Sequence, residues 1–545
     1  MPVLNWIGKD KVVNHDKELP FKVLKPVKKL SVGKESENLL IEGDNLEALK
    51  ALMPFYFNKV DFIYIDPPYN TGEEKWVYND NVNSPQIKAW LHKVVGREGE
   101  DLCRHDKWLC MMYPRLKLLR ELLSDEGIIF ISIDDNELQH LINIMDEIFN
   151  GNHIATFIHK NNSSKNQANL VSISTEYLVL YKKNKEALKG KKWRTFKKGA
   201  KDIVAMYNKL KNEELSLDEI EIQIKEMYSR PKYSHLSRWN KVDEKGVYVD
   251  ADLSREGGSK NYTIISPNTK KKCVIPTRGW GKTYEELLRL QKEDLIWYGD
   301  ENTPPRMKSY IDSESEAVPD SLLYFDNSVD TRMIKKMFGS LVFENPKPLE
   351  MIKTIVRFAS DKNSLILDSF AGSGTTGHAV LELNKEDDGS RKFILVELEK
   401  KVAKEITLER LRKVIKGFEG ANYPNGTGQD FQYLELNGQL YGGDGFINPN
   451  ARYEDLAGYI YFTETRNYLD LPAIKNPYIG SLGSNHYFLF FEGKDKNILN
   501  EKTIKKTEKY KGTRIIYADK CLVDEEYLGK NNIIFKQIPY ELKKY

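Results

Sequence analysis

The string Val60-Asp-Phe-Ile-Tyr-Ile-Asp-Pro-Pro-Tyr-Asn-Thr-Gly72 ends an apolar, β-branched run on an acid, two prolines and an aromatic ring. In open α/β sheets a strand end of this kind is where ligands sit. The Asp66 carboxylate and a proline carbonyl can accept the two hydrogens of an exocyclic amine. Pro67 and Pro68 bring no competing N–H, and the Tyr69 ring can stack on a planar base. On its own the string fits equally well a strand, a Pro-Pro turn and a buried tyrosine. A second string, Leu365-Ile-Leu-Asp-Ser-Phe-Ala-Gly-Ser-Gly-Thr-Thr-Gly377, predicts a strand, a glycine turn and a helix start. Its glycines admit close backbone approach, and the helix N-terminus favours an anionic group. Gly372 to Gly377 has the spacing of a dinucleotide turn, and Glu397 closes the next strand roughly 20 residues on, where an acid meets ribose hydroxyls. Alone, this second string admits NAD, FAD or S-adenosylmethionine; the lysine of a phosphate-binding loop is missing, which argues against an ATPase.

Together the two strings have one economical reading: a crevice for an adenosyl cofactor beside a strand end for a planar amine. Methyl transfer from a sulfonium to an exocyclic nitrogen needs little acid–base machinery. It needs in-line placement, a desolvated site and acceptors that favour the nitrogen lone pair. Tyr69 would hold the base once it has left the duplex.

The elements that must position these residues are legible in outline. Strand-like Leu39 to Asp44, Val60 to Ile65, Gly127 to Ile133 and Glu176 to Tyr181 alternate with helical patterns over Asn45 to Met53, Trp108 to Leu123 and Asn136 to Phe149. From about Asn184 to Gly339 the alternation gives way to lysine-rich and Gly/Pro/Ser-rich stretches. It resumes with a helix over Leu349 to Ala359, strands Leu365 to Asp368 and Phe393 to Val396, and helices from Thr376 and from Lys400 to Ile415. Such alternation implies a parallel sheet covered by helices. Tyr487 to Phe491, Arg514 to Tyr517 and Asn532 to Phe535 predict further strands near the end of the chain.

At 545 residues the chain has room for about three or four domains. Hydrophobic residues make up 40% and charged residues 30%, as in a soluble globular protein. The 83 basic and 80 acidic residues nearly cancel, so a DNA-binding surface must be local. No apolar stretch approaches the ~18–20 residues of a spanning helix, and the N-terminus has no signal-peptide core. The four cysteines, Cys103, Cys110, Cys273 and Cys521, form no Cys-x-x-Cys pair. His105, His153 and His159 lack metal-ligand spacing. No metal and no membrane partner are expected, and a cytoplasmic location is.

On these motifs the chain resembles DNA amino-methyltransferases of the β arrangement, in which the Asp-Pro-Pro-Tyr half precedes the cofactor-glycine half. Asp66 to Tyr69 come first here and Phe370 to Gly374 last. Further strings are similar to the modification (Mod) subunits of type III restriction–modification systems. They are Leu4-Asn-Trp-Ile-Gly-Lys9, Met112-Tyr-Pro-Arg-Leu-Lys-Leu118, Ser124 to Asn136, Phe343-Glu-Asn-Pro-Lys-Pro348 and Phe535-Lys-Gln-Ile-Pro-Tyr540. The resemblance implies an α/β fold: a Rossmann-like S-adenosylmethionine-dependent sheet in permuted motif order, an inserted target-recognition domain and a small C-terminal α/β domain. It implies a catalytic half over 1–185, target recognition over 186–340, the cofactor half over 341–430 and a partner-docking domain over 431–545. It implies N6-adenine methylation of duplex DNA with S-adenosylmethionine as cofactor, in a homodimer served by a helicase-nuclease restriction subunit. Asp rather than Ser at position 66 favours adenine over cytosine N4. Cytosine-N4 methylation, or an idle specificity subunit, are the alternatives.

Carried over by position, Asp66, Pro67, Pro68 and Tyr69 resemble the catalytic residues. Phe370, Gly372 and Gly374, after Asp368, resemble the cofactor loop, and Glu397 the ribose acid. Asp44 resembles the acid near the cofactor adenine; Lys347 and Pro348 resemble the segment closing over the methionine end. Thr175 stands where the family often has His. Between the halves, Lys232 to Trp239, Pro276 to Lys282 and Pro304 to Tyr310 interleave basic and aromatic residues, a pattern suited to phosphate contacts and base stacking. The charged run Asn212 to Ser229 predicts a solvated helix or a coiled-coil-like protrusion.

Overall fold

A computed structural model describes residues 3–33, 36–71, 85–95, 103–160, 171–188, 192–230, 233–300, 302–469 and 476–542. Gly72 and Lys232 lie outside the described residues. The chain divides into two compact units, Met1–Lys191 with Asp320–Tyr545, and Lys192–Pro319.

The larger unit is built on a ten-stranded sheet. Its strands in chain order are β1 Phe21–Pro26, β2 Leu39–Glu42, β3 Val60–Ile65, β4 Leu123–Ile133, β5 His153–Lys160, β6 Thr175–Lys182, β7 Leu322–Tyr324, β8 Leu365–Asp368, β9 Lys392–Glu397 and β10 Gln432–Tyr441. They lie side by side as β1-β10-β2-β9-β8-β3-β4-β6-β5-β7. From β10 to β4 every pairing is parallel, whereas β6 runs antiparallel to both β4 and β5. The central strands are nearly unbroken apolar runs because helices cover both faces. Asp61 is the exception in β3, and its Oδ2 accepts from the Leu365 amide at 2.9 Å, tying the start of β8 to β3.

Strands β8 and β3 are neighbours, with Ile366 opposite Phe62 and Leu367 opposite Ile63. From β8 the chain moves to β9 on one side, and from β3 to β4 on the other. The sheet therefore reverses its winding between them, and the crevice outside their carboxyl ends is the ligand position of such sheets. That junction places Asp66 beside Asp368. Helices α1 Asn45–Tyr56, α2 Arg104–Leu122, α3 Leu349–Ala359 and α4 Thr375–Asp387 connect and cover these strands.

Beyond β10, the C-terminal region joins the core of the main sheet through one helix, while its own sheet packs a separate cluster around Phe488, Ile504 and Ile516. Phe462, on the helix Tyr453–Thr465, meets Phe55 of α1 edge-on at 4.4 Å, and Tyr459 meets Phe21 of β1 at 5.5 Å. A four-stranded sheet ordered 478–482, 485–489, 513–518, 533–537 follows. The expected boundary at residue 340 falls inside the larger unit. The stretch 320–340 lies in the larger unit, because β7 pairs with β5 and Asp330 accepts from the Leu349 amide at the start of α3 (2.9 Å).

The unit Lys192–Pro319 holds a four-stranded antiparallel sheet ordered 296–297, 306–310, 246–251, 241–243. The charged run at 212–229 is not a solvated rod there. A Ser216–Glu219 capping box starts a helix over Leu217–Met227 whose Ile220, Ile224 and Met227 pack against Ile203, Tyr207 and Leu210. Their i, i+4, i+7 spacing is an apolar stripe hidden among glutamates. Several aromatics of the basic strings are also core residues: Trp280 is 2% exposed with Nε1 bonded to the Tyr262 carbonyl, and Tyr233 and Tyr310 donate to Asp202 and Asp243.

Candidate active site

The cleft at the β3–β8 junction is lined by Tyr64, Asp66, Phe343, Asn345, Lys347, Asp368, Phe370 and the 371–373 turn with Thr375 and Thr376. The turn is held open by backbone geometry that side chains resist. Gly372 has φ 51° and Gly374 φ 79°; a Cβ on Gly374 would stand 2.9 Å from the Thr407 methyl. From behind, fully buried Arg410 donates to the Ser373 and Thr375 hydroxyls at 2.9 Å each. Asp368 fixes the turn's entry, accepting from the Phe370 amide (3.0 Å) and the Thr376 hydroxyl (2.6 Å). Glu397 lies beneath it, accepting from the Gly372 amide at 2.8 Å. Burial pushes Asp368 up to about 7 and Glu397 up to about 8. A glycine cradle that a Cβ would fill, with two buried acids at its edge, fits a nucleoside-bearing cofactor.

On the β3 side the acceptor residues meet a buried cation. Lys347 Nζ lies 3.4 Å from Asp66 Oδ1 and 2.7 Å from Glu176 Oε2, contacts the Tyr69 hydroxyl and stands 4.6 Å over the Tyr69 ring. Burial raises Asp66 to about 6, with Lys347 pulling it part of the way back. Burial acts the same way on Glu176, but Lys347 and His159 overturn it and hold that carboxyl far below the usual range. Burial alone would lower Lys347; Asp66 and Glu176 more than offset it and raise it. The cluster therefore holds one firmly ionised acid, one acid poised near neutrality and one permanent cation.

The strand end itself is pinned. The Pro68 carbonyl accepts from Trp108 Nε1 at 2.7 Å. Asn70, in the left-handed region at φ 58°, donates its side-chain amide to the Arg104 carbonyl (3.1 Å) and to Glu137. A second chain links the neighbouring strand ends: Asp44 caps α1, fully buried Arg115 reaches Asp44 (3.4 Å) and Asn45 Oδ1 (2.5 Å), and Asn45 donates to the Ser369 carbonyl (2.9 Å).

The fold thus gathers Asp66, Lys347, Asp368, Phe370 and Gly372 around one cleft, with Tyr69 joined to it through Lys347 and Glu397 beneath the turn. Gly374 caps α4 and Pro348 precedes α3. Asp44 caps α1 at the end of β2, the strand next to the one that ends in Glu397. Glu176, Trp108, Asn70, Arg115 and Arg410 were not singled out by sequence reasoning. All five stand within segments read from the sequence, Asn70 in the opening string and Arg115 in Met112 to Leu118, and for Arg115 and Arg410 the available signal is a polar residue within an apolar helical pattern.

The DNA methylase family model matches residues 60–408. The EcoP15I Mod subunit of a type III restriction–modification enzyme from Escherichia coli is 34% identical over 73% of this chain and 64% of its own length. The StyLTI Mod subunit from Salmonella typhimurium is 35% identical over 72% of this chain and 57% of its own. The type II methyltransferase M.KpnI from Klebsiella pneumoniae is 31% identical over 73% of this chain and 92% of its own. The chain thus spans less than two-thirds of the two Mod subunits.

Proposed function

The chain belongs to the DNA methylase family, and from that premise we propose that it methylates adenine N6 in duplex DNA, using S-adenosylmethionine, as the modification subunit of a restriction–modification system. The observation that carries this reading is the junction of Asp66 and the 370–374 turn at adjacent strand ends. When bound, S-adenosylmethionine supplies a methyl group on an already activated sulfonium. The chain's own residues then need only place and polarise the nitrogen. Asp66 accepts one amine hydrogen and the Pro67 carbonyl the other, drawing the nitrogen lone pair out of conjugation. Trp108, on Pro68, and Asn70 keep that strand end from moving. Tyr69 stacks on the flipped base.

An amine entering the site meets Asp66 where the Lys347 ammonium now lies, and Glu176 offers that ammonium a second carboxylate to stay with. The nitrogen's surplus proton leaves after methyl transfer, and Asp66, poised near neutrality, is the nearest base to take it.

In the same reading the 192–319 unit recognises the DNA target, the chain works as a cytoplasmic homodimer, and the 431–545 region docks a helicase-nuclease restriction subunit. No described helix is long and apolar enough to cross a membrane. Methylome sequencing of DNA exposed to the protein and S-adenosylmethionine tests the central proposal. N6-methyladenine at one sequence motif is expected, lost in Asp66→Ala; N4-methylcytosine alone would overturn the assignment. Light scattering after size exclusion reads the dimer.

A further inference from the structure

From Trp108 onward α2 is deep in the core, but its first turn meets a second cluster of donors outside the cleft. His105, near the start of α2, and His140, on the helix Leu138–Ile148, both turn Nδ1 toward Glu137. Each nitrogen lies 2.8 Å from a different oxygen of that carboxylate. The three ligand atoms lie within 4.8 Å of one another, and the imidazole rings are 4.7 Å apart. Glu137 is fully buried, whereas His105 and His140 are about one-third exposed (36% and 32%), so the cluster has a dry floor and an open face.

We propose that His105, Glu137 and His140 form a binding site for a borderline divalent metal ion of the zinc, nickel or cobalt class, set against the loop that carries Tyr69. Two ligand atoms at right angles about an ion roughly 2.1 Å from each stand about 3.0 Å apart. The two 2.8 Å nitrogen–oxygen spacings are close to that, and a pair spread toward the 4.8 Å limit must draw in to about 4.2 Å or less to share one ion, so the ion enters with a small shift of the two partly exposed rings. The carboxylate would chelate through both oxygens with one imidazole beside each, leaving the exposed face for water. Two imidazoles with one carboxylate select transition metals over magnesium or calcium, which take oxygen ligands. Without the ion, Nδ1–H of each ring donates to Glu137. On binding, the Nδ1 lone pairs go to the metal and the ring protons move to Nε2, so the neutral imidazoles lose no net proton.

The outer contacts suit a metal site. Glu137 Oε1 also accepts from the Asn70 amide, and Asn70 follows Tyr69 directly. An amide that donates to a ligating carboxylate in this way holds it in orientation. The ion would thereby be coupled, through one side chain, to the strand end at Asp66.

The full chain, stripped with chelator and dialysed, is titrated calorimetrically with zinc chloride, with cobalt(II) absorption as a second readout. One equivalent per chain is expected, together with visible cobalt bands and a rise in melting temperature. The His105→Gln/His140→Gln variant keeps donors for Glu137 and should fold; its zinc affinity should fall at least 100-fold, with the cobalt bands and the melting shift gone. His153→Gln, with a ring that contacts Thr156 instead, should bind as the wild type does. Failure of the wild type to bind one equivalent, or binding unchanged in the double variant, overturns the proposal. Neither result bears on methyl transfer, which is assayed separately.

Discussion

Replacing Lys347 by methionine removes the ammonium that lies against Asp66 and Glu176 while keeping most of the side-chain volume. Asp66 titrates near 6 with that cation in place, so about 90% of it is ionised at pH 7. A neighbouring opposite charge lowers a carboxyl's proton affinity by roughly 10- to 1000-fold. At the tenfold end, Asp66 in the variant is about half ionised at pH 7; at a hundredfold, about one-tenth. Only the ionised form is a full acceptor for the amine and a base for its proton. The sign is unambiguous: losing the cation raises the carboxyl further, so the variant needs more alkaline solution to work. Single-turnover methyl transfer with labelled cofactor, measured from pH 5.5 to 9.5 at saturating DNA, reads this directly. At pH 7 the variant should run about two- to tenfold below its own alkaline plateau, with its midpoint at least about one pH unit above the wild type's. Removing one partner of a buried pair also destabilises the fold by about 3–5 kcal/mol, so the assays belong well below the variant's melting temperature. A variant slowed by the same factor at every pH, with its midpoint unmoved, would refute the electrostatic role of Lys347.

Gly374→Ala forces a side chain into a left-handed turn against Thr407, a strain of about 1–3 kcal/mol; equilibrium dialysis should show S-adenosylmethionine bound roughly 5- to 150-fold more weakly, and unchanged affinity would count against the cradle. Tyr69→Ala should reduce the fluorescence rise of 2-aminopurine placed at the target base, since base stacking is worth about 1–3 kcal/mol; an undiminished signal would remove Tyr69 from base holding. Trp108→Phe leaves the Pro68 carbonyl without its indole donor, at a cost of about 1–3 kcal/mol, and should lower the turnover rate more than DNA affinity in gel-shift and single-turnover assays. Asp330 is raised by burial to about 6, above its unfolded value near 3.9, so its folded form holds its proton more tightly. Its contribution to stability therefore declines as pH rises from about 4 to about 6, by up to about 3 kcal/mol. Asp330→Asn keeps an acceptor for Leu349, so calorimetry should find it at least as stable as the wild type at pH 8 and less pH-sensitive between 4.5 and 6.5. Equal destabilisation at both ends would contradict this.

Strands and helices with unbroken apolar or amphipathic patterns are legible in the sequence, as β3, β8, β9 and α3 illustrate. There the local pattern and the final burial agree. What was not readable depends on through-space pairing. Nothing about the three residues of β7 announces a strand, because its pairing partner β5 lies some 160 residues earlier. His105 and His140 are 35 positions apart on different helices, so the spacing of metal-ligand motifs could not reveal Glu137 between them. Resemblance places Lys347 in the segment closing over the cofactor's methionine end, but the contact of its ammonium with Asp66 and Glu176 is set by the loop before α3 and is not legible in sequence. In the 192–319 unit, basic–aromatic strings suggested base stacking, but composition does not separate a ring that is exposed from one, like Trp280, that is core.

The strand order has a consequence for how the chain is made. Strand β1, formed from residues 21–26, has β10, at 432–441, as its sheet neighbour, and β3 meets β8 only after some 300 intervening residues. During synthesis the N-terminal half therefore emerges with the edges of β1 and β3 unpaired until most of the polypeptide is complete. Contacts this distant in sequence slow folding and prolong the exposure of open strand edges. Truncations ending before about residue 397 should accumulate as aggregates, and the acceptor half should need the cofactor half in trans to become soluble.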